Sequence, residues 1–140
     1  MREWLFNGVW RVQVTRVDPL TSPRAGWGVT TIFRNGLRRN ANLLNTGVTP
    51  AFQLVLADGS VMEVLWMPGG FADSYYRRLP PGGQMVSQLK FFKGYVEGQR
   101  PVKLLIEVER TGMGRGLYSI PDPSFRIRLD CSRIRLDCSR

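Results

Sequence analysis

The chain has 140 residues, 20 of them Lys or Arg against 11 Asp or Glu, for a formal charge of +9, and it contains no histidine. That length fits one domain able to bury a real core without metals or crosslinks, while the missing histidine removes the commonest general base, the commonest metal ligand and every His-dependent triad. No apolar run reaches the roughly 18 residues of a membrane-spanning helix, and the positive balance implies solubility and non-specific attraction to polyanions rather than any particular fold.

In chain order, residues 1–8 read as an arm in which Trp4 and Phe6 pack down, turned by Asn7-Gly8. Val9 to Val17 alternates, with Trp10, Val12 and Val14 on one side and Arg11, Gln13 and Thr15 on the other, the pattern of a half-buried strand. Asp18-Pro19 through Gly26 reads as loop, and Trp27, Val29, Thr31 and Phe33 then define the inner face of a second strand that Asn35-Gly36 ends. Residues 37–50 are basic and irregular, anchored by Leu37, Leu43, Leu44 and Val48, and predict an ordered loop or a short edge strand.

The run FQLVLADGSVMEVLW, Phe52 to Trp66, is a β-hairpin whose register the residues decide. A two-residue Asp58-Gly59 turn would mix polar and apolar side chains on both faces. A three-residue loop, Ala57-Asp58-Gly59 with Gly59 left-handed at a bulge, instead pairs Gln53 with Glu63, Leu54 with Met62 and Phe52 with Val64. One face then carries Phe52, Leu54, Met62, Val64 and Trp66, enough apolar surface to require a second sheet on top of it.

Met67-Pro68-Gly69-Gly70 breaks the pattern before a short strand expected near Ser74 to Leu79, and Pro80-Pro81-Gly82-Gly83 forces a turn. Met85, Ser87, Leu89 and Phe91 point inward from the next strand, and Val102, Leu104, Ile106 and Val108 from the one after. Glycines 112, 114 and 116 form a flexible connection, and Phe125 to Cys131 supplies a last strand. Strands separated by turn signals, with no helix among them, predict an all-β fold: an antiparallel immunoglobulin-like β-sandwich of about seven to nine strands, with a closed β-barrel as the alternative.

The domain spans 1–126, and 127–140 is a C-terminal strand with a duplicated tail, IRLDCSR recurring at 127–133 and 134–140. The period of seven puts the two copies on opposite faces of any continuous strand. A bulge, addition to a neighbouring subunit's sheet, or an accidental duplication would each accommodate this, and accident is the preferred reading over a strand exchanged between subunits. Cys131 and Cys138 both lie in this tail, so the body of the domain has no disulfide to argue from.

Chemistry has few footholds. Glu107 and Glu109 share a strand face, but adjacent acids beside Lys103 are ordinary solvated partners. The Gly112-x-Gly114-x-Gly116 run lacks the strand, helix and Lys-Ser/Thr of a phosphate loop, and no hydrolase elbow, zinc spacing or calcium loop is present. No catalytic residue, cofactor or metal is expected. The candidate interaction surface is FADSYYRR, with Phe71, Tyr75, Tyr76, Arg77 and Arg78, joined by Lys90 and Lys93, because aromatics and arginines dominate interaction hot spots. Its bland counterpart has a tyrosine filling the sandwich edge and both arginines in solvent.

The runs VTPAFQLVLADGSVMEV, LPPGGQMVSQLKFF and PVKLLIEVE, spanning residues 9–108 in context, resemble small bacterial immunoglobulin-like β-sandwich modules of the secreted immunoprotective-antigen type. More loosely, they resemble the Bacillus intracellular proteinase inhibitor domain. The resemblance implies a non-enzymatic binding role and transfers no catalytic residue. The expectation is an exported or surface-associated binding module, extracellular with its leader removed, a cytoplasmic protein being the alternative since residues 1–4 do not read as a secretory signal. Its partner would be a protein or polymer. The other readings are a structural subunit of a virion or extracellular filament that assembles as a homo-oligomer through its C-terminal strand, and a proteinase inhibitor.

Overall fold

Strand alternation of period two sorts side chains into an inward and an outward set, and the inward set decides the layers. The computed structural model describes residues 3–129. In chain order its strands are β1 (Leu5–Phe6), β2 (Trp10–Leu20), β3 (Gly26–Asn35), β4 (Gln53–Leu56), β5 (Val61–Glu63), β6 (Gln84–Phe91), β7 (Pro101–Ile106) and β8 (Phe125–Arg128). A short helix, α1 (Phe71–Tyr76), lies between β5 and β6, and single 3-10 turns form at Leu44–Thr46 and Gly112–Gly114. The strands make two four-stranded sheets, β1-β2-β3-β6 and β5-β4-β7-β8, with every pairing antiparallel. This is the expected all-β sandwich, and the sheets do not close into a barrel.

The inner faces meet as the pattern requires. Trp10, Val12, Val14, Val29, Phe33, Leu89 and Phe91 from the first sheet lie against Leu54, Leu56, Met62, Leu104, Ile106 and Ile127 from the second, all at 2% exposure or less. Each such side chain contributes on the order of 1.5–3 kcal/mol of apolar transfer energy. The hairpin has the three-residue loop: Gln53 pairs with Glu63 and Leu54 with Met62, and Gly59 sits at φ 89° in the left-handed region. Val64 N donates to Phe52 O.

Beyond Val64 the chain leaves its own sheet. Val64 bridges to Phe91, and Leu65 N donates to Lys90 O at 2.7 Å, so the hairpin stitches the edge of one sheet to β6 of the other. On the opposite side no strand pairing joins β8 to β1 or β2 among the described residues, although Asn7 Nδ2 donates to Pro123 O across that gap.

Several expectations need correction. β2 continues through Asp18-Pro19 to Leu20: a bulge between Val14 and Arg16 resets its phase so that Val17 points inward, and beyond Val12 it is an edge strand, where proline is tolerated. The strand expected near Ser74 to Leu79 is instead α1, followed by a single bridge from Leu79 to Ala41. In the arm, Leu5 packs against the core while Trp4 and Phe6 are 37% and 48% exposed. Residues 37–50 form a loop bridged at Ala41 and Val48, with Leu44 exposed rather than anchoring it.

The glycine-rich connection is packed at its centre, since a Cβ on Gly114 would collide with the Glu109 carbonyl and crowd Thr46. β8 runs across the 126/127 boundary and buries Ile127, and Leu129 just past its end joins the same core. The second IRLDCSR copy, Cys131 and Cys138 lie outside the described residues.

Candidate functional site

The hairpin's exit positions the most prominent surface feature. Strict alternation would send Trp66 inward after Val64, but the crossing to β6 lifts it out, and its side chain is 44% exposed. Met67-Pro68-Gly69 then reverses the chain, with Gly69 at φ 80°, and α1 begins. Phe71 and Tyr75, four residues apart on one helical face, turn into the sandwich. Asp73 in the first turn suits the positive end of the helix, and Arg77 in extended conformation ends it.

The result is a shelf of rings. Trp66 stands on Phe71, Tyr75 and Tyr76 at centroid distances of 5.7, 5.4 and 5.8 Å, all near edge-to-face. Phe71 in turn meets Phe52 at 4.7 Å, so the shelf is rooted in the core. Tyr75 donates its hydroxyl to Val48 O, and burial pushes its pKa up, with Tyr76 and Glu109 adding to the shift.

Beside the shelf lies a groove of about 520 Å³, walled by Pro50 to Gln53 and Glu63 to Trp66 and closed by Arg24, Phe92 and Lys93. Its size is within the range of ordinary ligand sites, about 300–1,000 Å³. Two cations border it. Arg24 stands 5.8 Å from the Phe92 ring centroid, and Lys93 pairs with Glu63 at 3.1 Å with both side chains largely in solvent.

The structure divides the sequence-derived surface. Phe71 and Tyr75 are core, at 2% and 3% exposure, and so cannot be contact residues as they stand; helical rather than strand geometry turned them in. Tyr76, Arg77, Arg78, Lys90 and Lys93 are exposed. Of these, Tyr76 packs on Trp66 and Lys93 lines the groove, whereas Arg78 lines a separate hollow with Arg39, Asn40 and Asn45. Lys90 stands on the outer face of β6 opposite Gly28. Sequence reasoning missed Trp66 and Arg24 as surface residues, and the buried Phe92 as the ring beside Arg24. Pro68-Gly69-Gly70, two residues after Trp66, was the signal that alternation was about to stop.

Glu107 and Glu109 are exposed beyond the end of β7, where Thr49 N donates to Glu107 O and Glu109 N donates to Gly47 O. Among the described residues no three His, Cys, Asp or Glu side chains could share a metal ion, and no helix is long and apolar enough to cross a membrane. Compared with protein-family models, with characterised proteins and with solved structures, the chain matches none.

Proposed function

We propose that this chain is a non-enzymatic binding module that holds a protein or polymer partner in the groove beside Trp66. The observation that carries the reading is the shelf itself. Trp66, Met67 and Tyr76 are 44–55% exposed side by side on a fixed aromatic base, next to an apolar groove with cations at its border. Large aromatics already immobilised by their neighbours lose little entropy on binding, which is why Trp, Tyr and Arg dominate interaction hot spots.

Arrays of short peptides and of soluble polysaccharides, probed with the wild-type chain and with Trp66→Ala, test the proposal. Ligands retained by the wild type and lost by the variant are the expected result. Equal retention by both, or no retained ligand in either array, would contradict it.

A second reading, assembly into a larger structure through sheet edges, draws on the outer edge of β8, which has no strand neighbour among the described residues. Sedimentation at several concentrations separates the two, since an assembling subunit grows in mass with concentration and a monomeric binder does not.

A further inference from the structure

The outer face of the first sheet carries a second constellation, remote from the groove in the pattern of its strands. Phe6, Arg11, Arg34 and Gln84 are successive cross-strand partners and form one row across β1, β2, β3 and β6. Their neighbours Val12, Phe33 and Met85 are buried, so the row itself faces outward. The Arg11 guanidinium lies 4.1 Å from the Phe6 ring centroid, and that of Arg34 lies 4.8 Å from the Trp4 ring. Arg34 is further pinned by Nε and Nη2 donating to Gln84 Oε1 at 3.1 and 2.6 Å. Gly36 makes room for this arrangement, since a Cβ there would stand 2.9 Å from the Phe6 ring and 2.7 Å from Val9 O.

Arg11 and Arg34 are directly opposed like charges, a pairing that weakens a sheet. Among the described residues neither is ion-paired to an acid: Asp18, on the same face, is held by Arg16 at 2.8 Å. The rings keep 37% and 48% of their surface open. Arg38 and Arg39 follow, exposed, in the loop leaving the same end of β3. The second sheet offers a natural contrast, with Lys103 opposite Arg128 but Val55 and Val61 as their row neighbours in place of aromatics.

We propose that this face binds single-stranded nucleic acid, with Arg11 and Arg34 holding backbone phosphate and Trp4 and Phe6 stacking unpaired bases. A guanidinium fork matches phosphate oxygens, and an anion lying between two guanidiniums converts their repulsion into shared attraction. Protruding rings on a basic sheet face suit splayed bases, whose flat faces are hidden in a duplex. A sulfated polysaccharide would satisfy the arginines and leave the rings without a flat partner. The net charge of +9 steers any such strand toward the protein.

Fluorescence anisotropy with a labelled oligothymidylate of about 20 nucleotides tests this, the length being enough to span a site of several nucleotides. The expected result is that Arg11→Gln with Arg34→Gln weakens binding at least about tenfold and makes the log–log salt dependence shallower by about 1.4, roughly 0.7 for each phosphate released. Trp4→Ala is expected to weaken binding about fivefold or more. Lys103→Gln with Arg128→Gln removes the same charge and is expected to change affinity less than about twofold, beyond the general field effect. The melting temperature of the Arg11/Arg34 variant should be unchanged or higher.

Four results would overturn the proposal. They are no binding by the wild type at low salt, equal loss in the Lys103/Arg128 control, duplex or heparin competing as well as the single strand, and a melting temperature lowered by removing the arginines, which would make the pair part of the fold.

Discussion

The surroundings of Thr46 and of Trp66 are both built from aromatic side chains brought together by loops, and they end in opposite states. At Thr46 each large ring is tied by a polar atom. Trp10 Nε1 donates to Thr46 Oγ1 at 2.8 Å, Tyr118 donates its hydroxyl to Thr46 O, and Thr46 Oγ1 reaches Asn42 O and Leu43 O. Asn7 closes the same end by accepting from Val9 N and Trp10 N. Thr46 is 1% exposed and Tyr118 6%. At Trp66 one ring of the base, Tyr75, is tied in the same way to Val48 O, but Trp66 itself rests on rings and is left 44% open. Aromatic surface joined to a buried hydrogen-bond hub is committed to holding three chain segments together, whereas aromatic surface stacked only on its own kind is free to meet something else.

That contrast can be broken or sharpened by substitution. Phe71→Ala attacks the root of the shelf, where a fully buried ring meets Phe52, and should cost about 3–5 kcal/mol in denaturant unfolding. A loss near 1 kcal/mol would show the shelf to be detached from the core.

Tyr118 gives the hub an alkaline signature. Burial pushes its pKa up to about 12, the side chains of Thr46 and Asn7 offsetting part of the shift. The unfolded chain releases that proton near pH 10, so the contribution is fully present below pH 10 and lost as pH rises toward 12, by about 2–3 kcal/mol. Urea midpoints should therefore fall more steeply between pH 10 and 11.5 in the wild type than in Tyr118→Phe.

Thr46→Val keeps the shape and strands the Trp10 indole N–H, at an expected cost of about 1–3 kcal/mol by the same assay. The smallest effect belongs to the open end of the comparison. Trp66→Ala should cost about 1 kcal/mol, since 44% of the residue is already open to water and no buried polar group is left behind.

The two regions also differ in how far they were legible. The hairpin could be read because a wrong loop length would have mixed its faces, and Gly59 marks the one position where a left-handed residue fits. β3 and β6 could be read for the same reason of alternation. The loop at 37–50 could not, because its order is imposed by Trp10 and Tyr118, 36 and 72 residues from Thr46 in sequence.

Short-range rules misled elsewhere. α1 is only 6 residues long and rich in residues that favour strands, and the Phe71–Tyr75 spacing was its single helical cue. Asp18-Pro19 signals a break, yet an edge strand with no neighbour on its outer side among the described residues loses no ladder bond to a proline. Trp66 continued the hydrophobic alternation on paper, but the bridge from Val64 to Phe91 carried it out of the sheet.

Urea unfolding of Thr46→Val beside Trp66→Ala, in one buffer at neutral pH, tests most directly whether one aromatic region holds the fold and the other presents a surface. The account predicts that the threonine variant loses clearly more stability than the tryptophan variant, whose midpoint stays close to that of the wild type. The reverse order, with Trp66→Ala the more damaged protein, would contradict it.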